Sequence, residues 1–147
     1  TSYSAAISAC EKGQQTERSL ELLRCMQQQG LMPDVIMYNA VISACEKGRQ
    51  PERAAEMFLA MREQCLRPDV ITYNAAISAC EKGKQPKQAL ELLQVMQEET
   101  LTPSLITYTT AMRACQKSQR LEWTLELLGR LQEQGLMPDV TVYSTAI

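Results

Sequence analysis

Three isoleucines, Ile36, Ile71 and Ile106, stand three residues ahead of Asn39, Asn74 and Thr109, and each set recurs every 35 residues. An aliphatic side chain beside an amide or hydroxyl suits a flat ligand. The aliphatic group can grip the face of an unstacked base while the polar group questions its edge by hydrogen bonds. The other reading is structural: an isoleucine in a first helical turn packs against the neighbouring unit. Lys12, Lys47, Lys82 and Lys117 recur with the same spacing. One cation per unit forms a ladder apt for a phosphate backbone, while a lysine in a last helical turn also complements the helix dipole. Glu11, Glu46 and Glu81 stand next to these lysines and partly offset them.

The elements that hold these residues follow from the period. Tyr3, Tyr38, Tyr73, Tyr108 and Tyr143 share the 35-residue spacing, as do Cys10, Cys45, Cys80 and Cys115. A period in this range marks a stacked array in which each unit buries its apolar face only against its neighbours. The 147 residues divide into units 1–34, 35–69, 70–104 and 105–139, with the start of a fifth at 140–147. Within one unit, Ile71 through Lys82 reads as a first helix, stopped by Gly83. Pro86 then suits the first turn of a second helix, in which Ala89, Leu92, Leu93 and Met96 follow amphipathic spacing. Two helices per unit joined by tight turns predict an all-α chain, a right-handed α-solenoid.

On a helical wheel of about 100° per residue, Tyr73, Ala76, Ile77 and Cys80 form an apolar stripe facing the core. Asn74, Ser78 and Lys82 fall on an opposite, polar face, with Ile71 anomalously among them. Most acidic residues, including Glu21, Glu56, Glu91 and Glu126, lie in the second helices. If the first helices line the inner wall, a chain of net charge −2 still offers a mildly basic groove. That net charge argues against strong non-specific binding to nucleic acid.

Other chemistries find few residues. There is no histidine, nucleophile motif, phosphate loop or pair of carboxylates outside the repeat pattern, so no catalysis, cofactor or metal site is expected. Adjacent helices of a solenoid lie roughly 10 Å apart, beyond the reach of about 7 Å between Cα atoms that a disulfide spans. The periodic cysteines are therefore expected reduced and buried as small apolar residues, with Cys25 and Cys65 incidental. No run of some 18 apolar residues is present, so no membrane span is expected.

The unit "VITYNAAISACEKGKQPKQALELLQVMQEETLTPS" resembles a pentatricopeptide repeat of the uniform P class. It has 35 residues, "TYN" in its first helix and "ALELLQVM" in its second, and sibling units end in "PD". The tetratricopeptide pattern, with its period of 34 and W-x2-L-G-x2-Y signature, is absent. The resemblance implies binding of single-stranded RNA, one base per unit, with the protein N-terminus toward the RNA 5′ end. It also implies that the residue after the helix-opening tyrosine and the last residue of the unit read the base edge. Carried over, Ser4 with Asp34 implies G, Asn39 with Asp69 U, Asn74 with Ser104 C (U tolerated), and Thr109 with Asp139 G. The implied core is 5′-GUCG-3′, with Ile36, Ile71 and Ile106 sandwiching bases and Lys12, Lys47, Lys82 and Lys117 meeting phosphates.

Thr1 and Thr141 depart from the isoleucine, and Arg113 adds charge where siblings carry serine. Ser118, Leu121 and Gly129 depart from the pattern in the fourth unit, and Gly129 is expected to weaken its helix by about 1 kcal/mol. Trp123 is expected to pack rather than stack on bases. The chain reads as a piece of a longer array whose uncapped ends favour self-association. The family implies a mitochondrial or plastid protein acting in RNA processing, stability or translation. A peptide-binding scaffold is the alternative that such a groove leaves open.

Overall fold

A computed structural model describes residues 2–13 and 15–136. Among them are eight helices and no strand: α1 (Ser2–Lys12), α2 (Thr16–Gln28), α3 (Val35–Lys47), α4 (Pro51–Glu63), α5 (Val70–Lys82), α6 (Pro86–Glu98), α7 (Leu105–Lys117) and α8 (Leu121–Glu133). The odd-numbered helices stack side by side, each even-numbered helix packs on the first helix of its own unit, and α2, α4 and α6 also pack on the first helix of the next. Successive even-numbered helices make no close backbone contact. An array whose first helices are tight and whose second helices are splayed curves with the first helices on the inside. The fold is an α-helical repeat solenoid.

Tight stacking of the inner helices is built into their residues. Ala44, Ala79 and Ala114 are buried beside Cys45, Cys80 and Cys115, and small side chains let neighbouring backbones approach. Tyr38, Tyr73 and Tyr108 are wholly buried, which contributes roughly 2–3 kcal/mol each. Their hydroxyls stay paired, as a buried phenol requires: Gln27 Nε2 donates to Tyr38 at 3.3 Å, Tyr73 donates to Glu99 Oε2 at 2.8 Å, and Gln97 Nε2 donates to Tyr108 at 3.1 Å. The expected stripe of Tyr73, Ala76, Ile77 and Cys80 is buried, as are Ala89, Leu93 and Met96 of α6. Trp123 is half-buried against the α7–α8 core, with the Arg120 guanidinium 5.1 Å from its ring centroid.

The expected polar face is different. Asn39 and Thr109 are each only 8% exposed, because an inner helix is flanked on both sides by its neighbours and has little free circumference. The turn after each first helix also differs from expectation. Gly48 and Gly83 end α3 and α5 with φ of −81° and −86°, which any residue adopts. The left-handed residue is the next one, Arg49 (56°), Lys84 (54°) or Gln119 (58°). Glycine is needed for space instead. A Cβ on Gly83 would lie 2.7 Å from Pro51 Cγ, and one on Gly48 2.2 Å from Thr16 Oγ1. The helix end therefore sits directly against the start of the previous unit's second helix.

Candidate nucleic-acid interface

The residue that closes a unit also opens the next helix. Asp34, Asp69 and Ser104 are the N-caps of α3, α5 and α7, with extended backbone and a side chain that accepts from the third helical N–H. Such caps satisfy an otherwise orphaned amide and fix where the side chain sits. Asn39, Asn74 and Thr109 stand one turn into their own helices. Inner-layer stacking brings the end of one first helix's opening turn beside the cap of the next.

The middle pairs meet in the structure. Asn39 Nδ2 donates to Asp69 Oδ1 at 3.1 Å across 30 residues of sequence. Asn74 and Ser104 are joined through a third residue: Thr107 Oγ1 donates to Asn74 Oδ1 at 2.5 Å and lies 3.1 Å from Ser104 Oγ. Asp34 is exposed and accepts from Met37 N at 2.9 Å. The Ser4 side chain and Asp139 lie outside the described residues. Thr109 turns its hydroxyl back to Leu105 O at 2.7 Å. Burial would raise the Asp69 carboxyl, but hydrogen bonds from the Thr72 N–H, the Asn39 amide and the Ile71 N–H outweigh it and hold it below the usual carboxylate range.

Ile36, Ile71 and Ile106 are 68%, 64% and 71% exposed. They are not packed against the neighbouring unit, and Ile36 and Ile71 stand three residues ahead of the paired Asn39 and Asn74. Three large aliphatic side chains held in water at a regular interval have no folding advantage.

The lysine ladder is present but matched in charge. Lys47 Nζ lies 2.8 Å from Glu11, Lys82 2.9 Å from Glu46, and Lys117 3.2 Å from Glu81. Each glutamate comes from the preceding unit and not from beside the lysine in sequence. Ser43 and Ser78 also donate to Glu11 and Glu46, at 2.9 and 2.5 Å. The Glu11 carboxyl is held below its ordinary value, chiefly by its hydrogen bond from Lys47. Lys12 is exposed. Sequence reasoning missed these glutamate pairings and missed Thr72 and Thr107. The D-x-x-T and S-x-x-T spacing of a capping box was the signal available for the threonines.

Among the described residues no cluster of His, Cys, Asp or Glu could hold a metal ion. Nor is any described helix long and apolar enough to cross a membrane. On the opposite side of the array, Phe58, Leu59, Leu92 and Val95 line an apolar groove of about 310 Å³ between α4 and α6, where the second helices are splayed.

Family profiles match most of the chain: the pentatricopeptide repeat domain at residues 21–84, the PPR repeat family at 68–117, and the PPR repeat at 1–31 and 106–136. No curated protein sequence gives a significant match. Among solved structures, the chain is similar to the pentatricopeptide repeat protein PPR10 in complex with an 18-nt psaJ RNA element. Identity is 25% and the TM-score 0.82 over 98% of this chain, which spans only 21% of that protein. The PPR domain of Arabidopsis thaliana protein-only RNase P 1, in complex with tRNA, is 16% identical with a TM-score of 0.87, covering 95% of this chain and 74% of that one. Nuclear proteinaceous RNase P 2 from A. thaliana is 13% identical with a TM-score of 0.90, covering 99% and 33%. These last two are likenesses of fold.

Proposed function

The chain belongs to the pentatricopeptide repeat family, and from that premise we propose that it binds single-stranded RNA along its inner helices, one base to each unit. The observation that carries this reading is the row of exposed isoleucines, two of which, Ile36 and Ile71, stand three residues ahead of Asn39 and Asn74 in hydrogen-bonded polar pairs. An aliphatic side chain covers a base face, and the polar pair meets its Watson–Crick edge, a geometry open only to an unstacked strand. The RNA carried by PPR10, a protein of the same repeat architecture, supports the same ligand class.

The finer reading is a core of 5′-GUCG-3′, read by Ser4 with Asp34, Asn39 with Asp69, Asn74 with Ser104 and Thr109 with Asp139. Lys12, Lys47, Lys82 and Lys117 flank the phosphate path. The segment acts by binding and not by catalysis, and its role lies in organellar RNA processing, stability or translation. Imaging of a fluorescent fusion of the full-length protein tests the mitochondrial or plastid location.

Each stacked base contributes roughly 1–3 kcal/mol, and association costs at least several kcal/mol. Four units alone are therefore expected to bind with micromolar or weaker affinity. The test is a titration of labelled GUCG-containing RNA and a scrambled control at two salt concentrations. Tighter, salt-sensitive binding of GUCG supports RNA and the base assignment together. Equal salt-sensitive binding of both keeps RNA and rejects the assignment. Binding of neither, with capture of an apolar peptide that ignores salt, favours a peptide scaffold.

A further inference from the structure

Thr72 lies at the third position of α5 and is fully buried, and it touches both members of the polar pair in front of it. Its hydroxyl donates to Asn39 Oδ1 and accepts from Asp69 N at 3.1 Å. It also stands 2.9 Å from Asp69 Oδ1. A threonine hydroxyl has one proton, and an ionised carboxylate has none. Of the hydroxyl's two possible acceptors Asn39 Oδ1 is the closer, so the proton goes there and not to Asp69 Oδ1, and that atom is held as the amide oxygen. Asp69 Oδ1 meanwhile accepts from Asn39 Nδ2 at 3.1 Å. An amide rotated by 180° would set its oxygen against a carboxylate oxygen with no proton between them. Only one orientation is compatible with all the neighbours. What remains for a ligand is the second Nδ2 hydrogen, a donor, beside the carboxylate, an acceptor.

Thr107 repeats the device with a different result. It donates to Asn74 Oδ1 at 2.5 Å and accepts from Ser104 N at 3.1 Å. With its single proton spent on Asn74, the 3.1 Å contact with Ser104 Oγ requires the serine to donate. Ser104 Oγ also accepts from Thr107 N at 3.3 Å, so its hydroxyl proton is used internally and it offers a ligand only a lone pair. Asn74 Nδ2 is not bonded to any described group, which leaves both of its hydrogens for a ligand. After Asp34 the corresponding residue is Met37, which has no hydroxyl to give.

We propose that Thr72 and Thr107 are positioning residues that set the hydrogen-bond polarity of the base-reading pairs Asn39–Asp69 and Asn74–Ser104. This rests on the RNA-binding reading above. Each threonine belongs by sequence to the unit after the pair it orients. The identity of a base is thus governed by three residues from two consecutive units.

The experiment compares Thr72→Val, which keeps the shape and removes the hydroxyl, with Thr72→Ser, which restores it, and with Thr107→Val. Two readouts are taken on the whole chain. The first is the side-chain amide spectrum of Asn39 and Asn74 by NMR without RNA. The second is binding to RNAs carrying each of the four bases at the second or third site of GUCG.

Thr72→Val is expected to shift the Asn39 amide pair alone and to weaken discrimination at the second base about five- to tenfold, the effect of one hydrogen bond. Discrimination at the third base stays unchanged. Thr72→Ser recovers the second-base preference, and Thr107→Val moves the loss to the third base. A uniform loss of affinity for all bases, or an unmoved amide pair in Thr72→Val, overturns the proposal. If the unmodified chain binds no RNA, the RNA reading fails, and the amide spectra alone decide whether the threonines fix the pair.

Discussion

Asp69 combines two roles. Its carboxylate caps α5 through the Thr72 N–H at 3.0 Å and holds Asn39 at 3.1 Å. Removing a capping side chain costs about 1–2 kcal/mol, so Asp69→Ala is expected to lower stability by that amount at neutral pH, measured by urea unfolding. Because the folded-state pKa lies below the ordinary one, the contribution is complete above the unfolded carboxyl's pKa of about 4. It is lost as pH falls through the folded value, so Asp69→Ala should lose less stability than the unmodified chain between pH 5 and pH 2. The six thiols divide by burial. Cys25 and Cys65 are exposed, and the other four are buried. In the native protein a thiol reagent is expected to modify two cysteines quickly. Burial pushes Cys45, Cys80 and Cys115 up to about 11. Above the unfolded thiol's pKa of about 8.5, the unfolded chain sheds protons that the native chain keeps. Stability should therefore fall as pH rises from about 8.5 to 11, and a Cys45→Ala, Cys80→Ala, Cys115→Ala triple variant should fall less steeply over that range.

At the scale of helices and turns, two glycines have opposite meanings. Gly83 has no room for a methyl group against the rigid ring of Pro51, whereas nothing lies within 4 Å of a Cβ built on Gly129. Gly83→Ala is expected to destabilise by about 1–3 kcal/mol through overpacking. Gly129→Ala should stabilise α8 by about 1 kcal/mol, and thermal unfolding of both variants checks the contrast. The sequence made the helix pairs legible, since Tyr and Cys at a common spacing leave one way to bury the apolar stripe. It also displayed Ile36, Ile71 and Ile106 as misfits on a polar face. The crowding behind Gly48 and Gly83 was not legible, because it depends on the distance between units and not on any residue pattern within one. The same holds for Lys47, Lys82 and Lys117: their partners Glu11, Glu46 and Glu81 lie one full unit back. The glutamates adjacent in sequence concealed that offset. A wheel drawn for one helix sets Asn74 on a polar face and omits the two neighbouring helices, which at the equivalent positions cover Asn39 and Thr109.

For the whole array, charge is arranged between units. Each matched lysine–glutamate pair is a staple across the inner layer, with the lysine a third to nearly half exposed, and such pairs give little stability in water. Their larger effect is to mute the inner face toward phosphates. Glu46→Gln removes the anion facing Lys82, so RNA affinity should rise and its dependence on log salt should steepen by about 0.7, the value for one phosphate contact on a single strand. An unchanged slope would mean that Lys82 does not meet the backbone. Asp34, Asp69 and Ser104 lie at the junctions between units, where the proposed base reading and the start of a helix share one side chain. This narrows the vocabulary available to evolution or to an engineer who would rewrite the target. Only short side chains that can accept a backbone N–H are admissible there, and larger or apolar letters would change the message by loosening the joint that carries it.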